Sequence, residues 1–483
     1  MVQPELLRTV IAYLQRRGAD YAEARHVAVL HESLAVENAQ VKHVSRSADE
    51  GIGLRVLVGG SWGFACTPQR TAAACRRAAD EALAIARASA TINRRPVSLA
   101  PLAPQRGRYD TPCEVDPFTV PLSNKLDYLF WASQVLQESP HIQRTIALLD
   151  FYRTDKHLVT TEGTDVAQRI IESAAMIEAV AHSGGEVQRR SYPNSHHGAF
   201  AQSGYEYVKS LDLVGGARQI RQEVAALLRA KEPRPGPTTV ILDSSQLALQ
   251  IHESCGHPAE LDRVQGAELS YAGGSFLTTD KRGRFRYGSR LVNLVADSTT
   301  PQGAGTFGFD DEGVPAGRHD LVRRGLFVGY LSSRESAAKA RLSASSGAMR
   351  AESWSVPPLV RMTNVNLEPG DASLDELIHD TKRGYLLSTN KSWSIDDRRL
   401  NFQFSTEIGW EIVNGRLGRI VKNPIYTGIT PRFWGGCTGI AHRSHWKLWG
   451  IPNCGKGEPT QSMHVGHGAA PARFARVLVG RGA

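Results

Sequence analysis

The sequence predicts an α+β fold: a mixed α/β N-terminal half built on an antiparallel sheet, followed by a β-rich C-terminal half. Three observations predict it. Stretches that alternate apolar and polar residues are interleaved with stretches of helical period. A proline-rich break falls near the middle of the chain. Beyond that break, glycine and β-branched residues dominate.

Residues 4–17 carry Leu6, Leu7, Val10, Ile11 and Leu14 on one stripe, which predicts an amphipathic helix. ARHVAVLHESLAVENAQVKHVSR then alternates, the pattern of strands with one buried face. IGLRVLVGGSWGFACT reads as two strands around a Gly59-Gly60 turn. Helical patterns follow over 70–90, near 121–138 and over 210–230, with a proline-rich loop at 96–117 and further alternating strands up to about 192. KEPRPGPTTV (231–240) ends the last of these helices. VILDSSQLALQIHESCGH reads as a short apolar strand and then a helix, with Ser244 or Ser245 suited to its N-cap. Later strands include RLVNLVAD, GLFVGYLSS and GWEIVNGRLGRIV. The expected organisation is an N-terminal part over 1–230, divisible near 96–120, a linker over 231–240, and a C-terminal domain over 241–483.

Hydrophobic residues make up 41% of the chain and charged ones 22%, the balance of a soluble globular protein. No run approaches the roughly 18 apolar residues of a membrane span, and the N-terminus lacks the order of a signal peptide. The expectation is a cytoplasmic protein without a membrane partner. The net charge of +9 comes from scattered arginine pairs rather than a basic run, so nucleic-acid binding is not expected. Six cysteines without a CxxC pair argue against a disulfide framework.

Several motifs are set aside. GAGTFG (303–308) is followed by FDDEGVPAG, whose glycines and proline do not allow the long helix of a dinucleotide site. Asp310, Asp311 and Glu312 are expected to form a solvated turn, with a role near a metal site as the alternative. His31 sits in an alternating strand with no second histidine nearby, and His196-His197 read as loop residues.

HESCGH (252–257) carries more. Hydrolysis at a metal needs neutral imidazole ligands, an open position for water and a carboxylate base, and Glu253 adjoins His252. Residues five apart on a regular α-helix point about 140° apart, so His252 and His257 would not meet on one ion. Either the two histidines are neighbours by chance, or the helix widens to a π-type turn, with Gly256 and Pro258 supplying the irregularity. Regular α-geometry from Ile251 through Pro258 would count against a site. Cys454, His464 and His467 are candidates for a further ligand in the glycine-rich C-terminal stretch.

HESCGHPAELD resembles the HExxxHxxExD motif of the TldD/PmbA family of metallopeptidases. FDDEGVPAG, LVRMTNVNLEPG, FQFSTEIGWEIVNGRLGRIVKNP, NCGKGEP and, near the N-terminus, GIGLRVLVGGSWGFACT are similar to further blocks of that family, in order. The resemblance implies that the C-terminal half is the metallopeptidase domain. It also implies His252, His257 and Cys454 as ligands of one zinc ion, or another divalent transition metal, with Glu253 as general base. Glu260 and Asp262 are then candidates to orient the imidazoles. Such proteins are intracellular dimers acting on extended, unfolded peptides. Many pair a metal-bearing subunit with a motif-lacking TldE/PmbA-type paralogue, so a homodimer or such a heterodimer is expected. A non-catalytic, metal-stabilised partner subunit is the alternative role. Cys255 is expected to be a buried spectator. HVGHGAAPARF departs from the family's usual ending and adds His464 and His467, as outer hydrogen-bond donors, substrate contacts or core residues.

Overall fold

The structure is a computed structural model that describes residues 4–195 and 197–480; His196 lies outside the described residues. The predicted α+β class is the one observed. The N-terminal half comprises α1 (Pro4–Arg16), β1 (Tyr21–Glu37), β2 (Gln40–Val58), β3 (Ser61–Thr67), α2 (Ala72–Ala90), β4 (Arg106–Asp110), α3 (Leu122–Gln137), β5 (Ile142–Thr160), β6 (Asp165–Ser183), β7 (Glu186–Tyr192), β8 (Ala199–Ala201), α4 (Tyr205–Ser210) and α5 (Leu213–Leu227). Its strands form one eight-stranded sheet of order β3-β2-β1-β5-β6-β4, with β7 and β8 also on β6. All neighbours are antiparallel except β4 beside β6. Gly59 and Gly60, at φ 55° and 72°, make the turn between β2 and β3 that the sequence predicts.

Two helix pairs cover the sheet. The apolar stripe of α1 (Leu7, Val10, Ile11, Leu14) and the alanine-rich face of α2 bury Ile52, Leu54 and Val56 of β2. Helices α3 and α5 bury Leu34 and Val36 of β1 together with Leu149, Phe151 and Ile177 of β5 and β6. Both pairs pack on the same face of the sheet, the one that carries Ala22, Ala24, Leu34 and Val36 of β1.

In the C-terminal half the proline-rich run leads into β9 (Gly236–Leu242), so the chain is already a strand over much of the expected linker. Strand β9 lies between Arg383–Ile395, its parallel neighbour, and Ala472–Val479, which is antiparallel. Ala472–Val479 pairs with Ile425–Ile429, that strand with Asn401–Val413, and the last with Arg383–Ile395. The pairings therefore close into a ring of strands, from which Arg416–Lys422 and Cys437–Ile440 branch off. Its core includes Val240, Leu242, Phe402, Phe404 and Phe474, with the Phe433 ring stacked on Phe474 at 4.2 Å. A separate hairpin, Lys447–Lys456 with Gln461–Ala469, reaches back toward the N-terminal sheet, where Gly450 lies against Phe200 of β8.

The acidic run 310–312 corrects the sequence expectation. Asp310, Asp311 and Glu312 are buried rather than solvated. Asp310 accepts the backbone N–H groups of Glu312, Val314 and Met349, Asp311 pairs with Lys156, and Glu312 pairs with Arg55. Asp311 and Glu312 join the loop to the N-terminal sheet, and such partners far along the chain leave no local sequence signal.

Candidate metal centre

Helix α6 (Ser244–Ile251) starts at the end of β9 and is buried along its whole length. Its N-cap is Asp243 rather than a serine: the carboxylate accepts from the Gln246 N–H at 2.9 Å, and Ser245 Oγ donates to the same oxygen. A carboxylate cap suits the positive end of the helix.

At His252 the helix widens. His252–Gly256 is a π-helical turn, closed by the His257 N–H donating to the His252 carbonyl, and His257–Ala259 follows as a 3-10 turn. Polar side chains hold the distortion inside the core. Ser254 Oγ donates back to the Gln250 carbonyl and accepts from Trp434 Nε1, while Tyr287 donates to the Ser254 carbonyl. Gly256 packs so closely on Met362 that an added Cβ would lie 2.0 Å from its sulfur. The wide turn places residues five apart on the same side, and the rings of His252 and His257 lie 4.8 Å apart.

Cys454 comes from the hairpin strand Lys447–Lys456, where a register shift between Ile451 and Cys454 interrupts the ladder. One donor atom each from His252, His257 and Cys454 lies within 4.8 Å of the others, and all three residues are buried. The Cys454 Sγ is 3.7 Å from His257 Nε2.

The imidazole tautomers follow from their outer partners. His467 Nδ1 lies 3.1 Å from the Val365 carbonyl, which can only accept, so this nitrogen carries the proton. His467 Nε2 is then an acceptor, and His252 Nδ1–H donates to it at 2.8 Å. That leaves the His252 Nε2 lone pair free. His257 Nδ1 donates to Glu260 Oε2 at 3.0 Å, so its Nε2 lone pair is likewise turned toward Cys454. Burial lowers His252 to about 4 and His257 and His467 well below the ordinary histidine range, which favours neutral rings. Burial pushes the Cys454 thiol up; a protonated His257 and the Arg361 guanidinium would pull it down, and with His257 neutral the guanidinium is the cation that remains beside it. Two neutral imidazoles and a buried cysteine sulfur are a donor set that fits a divalent transition ion such as zinc.

The donors line a small pocket of about 180 Å³ with Glu253, Arg399, Asn390, Ser195 and Asn453 among its walls. The Glu253 carboxylate is buried and held by Arg399 Nη1.

The remaining sequence candidates separate. Glu260 contacts His257, with Lys456 Nζ 3.4 Å away. Asp262 binds Lys456 and the backbone N–H of Arg263 instead of an imidazole, because the chain turns into a short helix after Glu260. His467 stands behind His252. His464 projects from the other face of the hairpin and binds Glu172 of β6 at 2.9 Å. Cys255 is buried with its thiol pushed up to about 12 by burial, and its Sγ lies 2.9 Å from the Tyr287 hydroxyl. Arg399 and Ser195 were not singled out from the sequence. Arg399 sits at φ 62° in the SIDDRRL turn between two strands, a signal for the turn and not for what its side chain reaches.

With this geometry in view, the comparisons with known proteins are specific. Residues 235–480 match the PmbA/TldA metallopeptidase C-terminal domain and residues 22–86 match PmbA/TldA metallopeptidase domain 1. The chain belongs to the TldD/PmbA family of metallopeptidases. It is similar to a metalloprotease of Methanothermobacter thermautotrophicus, 28% identical over 99% of both chains. It is also similar to a zinc metalloprotease TldD homolog of Saccharolobus solfataricus, 23% identical over 86% of this chain and 87% of the relative. Among solved structures, TldE from Thermococcus kodakarensis superposes with a TM-score of 0.73 at 15% identity, covering 99% of this chain and 100% of that one. A Thermotoga maritima protein described as a candidate modulator of a DNA gyrase reaches 0.77 at 16% identity, covering 99% of both. These structures share the TldD/PmbA fold described above. Among the described residues no helix is long and apolar enough to cross a membrane.

Proposed function

We propose that this metallopeptidase hydrolyses unstructured peptides at a single zinc held by His252, His257 and Cys454, with Glu253 as general base. The observation that carries the reading is the convergence of three buried donor atoms within 4.8 Å in a pocket that Glu253 also lines. A purely structural zinc has four protein ligands and needs no base. The relative named as a zinc metalloprotease supports the choice of metal.

When bound, the metal would supply Lewis acidity toward water and toward a peptide carbonyl. The chain does the rest. Glu253 accepts the proton of the attacking water and passes it to the departing amine. Arg399 fixes the Glu253 carboxylate in the pocket. His467 and Glu260 hold the two imidazoles in the tautomer that points Nε2 inward. The substrate is an extended peptide, and the chain works in the cytoplasm as a dimer, with a second copy or with a TldE/PmbA-type paralogue. The fold shared with TldE supports the second pairing.

The test is metal analysis and peptide cleavage with Glu253→Gln, alone and mixed with a candidate paralogue. A variant that keeps its metal and loses cleavage is the expected result. Unchanged cleavage would remove Glu253 as base. A wild-type chain that binds metal but cleaves nothing in any combination would favour the non-catalytic subunit.

A further inference from the structure

A second cavity, of about 500 Å³, lies beside the metal pocket. The two share Asn453 as a wall. The loop after β7 also serves both, giving Ser195 to the metal pocket and His197 to the second cavity. Ser195 Oγ is buried and has no hydrogen-bond partner among the described residues, as expected of a group that meets a ligand in this passage.

The cavity floor is the N-terminal sheet. Asp150 on β5 lies 3.3 Å from His31 Nε2 and 3.7 Å from His197 Nδ1, and Glu172 on β6 binds His464. Tyr152 stacks on His31 at 4.1 Å, and the His464 ring meets Tyr152 and Phe200 edge-on at 4.9 and 4.6 Å. Four carboxylates line the space (Asp49, Asp150, Glu172 and Glu352) against the cations Lys156 and Arg350. Lys156 is paired with Asp311 outside the lining, and Arg350 donates to the carbonyls of Met362 and His464. The carboxylates thus outnumber the cations in the lining, and the aromatic faces add attraction for a cation.

We propose that this cavity is a specificity subsite that takes a lysine or arginine side chain of the peptide substrate, with Glu172 and Asp150 as its charge partners and Tyr152 and Phe200 as its walls. The proposal rests on the peptidase reading above. The peptide backbone passes Ser195 and Asn453, and the basic side chain, one or more residues from the cleaved bond, turns into the second cavity.

The experiment uses the metal-loaded protein and sets of unstructured peptides, acetylated at the amino terminus, with lysine, norleucine or glutamate at each position in turn. At one position lysine is expected to exceed norleucine by about tenfold in kcat/KM, equivalent to about 1.4 kcal/mol. In Glu172→Gln, and separately in Asp150→Asn, that ratio falls toward one. Because it is read within each variant, partial misfolding does not change it. No basic preference at any position, a preference that survives both substitutions, or one that appears only when the amino terminus is free would overturn the subsite. If wild type cleaves none of the peptides, the peptidase reading fails separately, and binding decides the subsite. Fluorescent lysine and norleucine peptides titrated against metal-loaded Glu253→Gln should then differ about tenfold in Kd, and equal affinities would overturn it.

Discussion

His252 Nδ1 donates to His467 Nε2 across 2.8 Å, and the far nitrogen of His467 is fixed on the Val365 carbonyl. A histidine from the last hairpin thus sets the tautomer of a histidine in the wide turn, some two hundred residues earlier in the chain. Losing that acceptor leaves a buried N–H without a partner and frees the ring to rotate. His467→Phe is expected to weaken metal affinity by roughly 10–100-fold, the usual effect of removing an outer-shell partner. His467→Gln, which keeps an acceptor oxygen, should lose less. Competition with a chromogenic chelator measures both, and wild-type affinity in His467→Phe would contradict the assigned role.

Arg399 is the next test. It holds Glu253 but offers no donor to a metal. Arg399→Leu should therefore keep a full complement of metal and lose peptide cleavage by about a hundredfold, the cost of a displaced catalytic group. Arg399→Lys should recover part of it. Loss of metal in Arg399→Leu would instead make the pair a structural support of the centre.

The fold and the site differ in how far the sequence announces them. The stripe of α1 and the Gly59-Gly60 turn are local patterns, and the structure follows them; β1 and β2 form as strands, but residues 21–27 are buried throughout and residues 40–49 exposed throughout instead of alternating. The five-residue spacing of His252 and His257 pointed to an irregular helix because regular geometry would have kept the rings apart. What stayed hidden depends on partners distant in the chain. Arg399 meets Glu253 only when the ring of strands closes, Asp310 to Glu312 are buried only where the two halves meet, and His464 and His467 part because successive positions of the hairpin serve different faces. Neither period nor spacing encodes such meetings.

The wide turn also predicts its own fragility. A Cβ at Gly256 would press on Met362 Sδ at 2.0 Å in a filled core. Gly256→Ala is expected to cost about 1–3 kcal/mol by overpacking, and to displace His257 enough to weaken metal binding. Shortening the neighbour in Gly256→Ala/Met362→Ala should return part of the metal affinity even though Met362→Ala alone opens a void. A cycle of the four proteins, read by metal titration and thermal unfolding, measures the coupling. Additive effects would show that the glycine serves the backbone and not the contact.

Glu312 lies at the junction of the two halves. Its Oε1 accepts from Arg55 of β2 at 3.0 Å, its Oε2 accepts the Arg334 N–H at 2.7 Å, and Arg55 also binds Glu23. All three side chains in this ion group are buried. Removing one member of a buried pair leaves the other charge uncompensated, at a cost of roughly 3–5 kcal/mol. Glu312→Ala should lower the unfolding temperature and hasten proteolysis. Glu312→Gln, which keeps the shape and one acceptor, should fall between it and wild type. Neither residue touches the metal pocket, so metal affinity measured below the unfolding transition is expected to stay at the wild-type value. Stability equal to wild type in Glu312→Ala would mean that Glu23 alone compensates Arg55, and that packing rather than this carboxylate holds the junction.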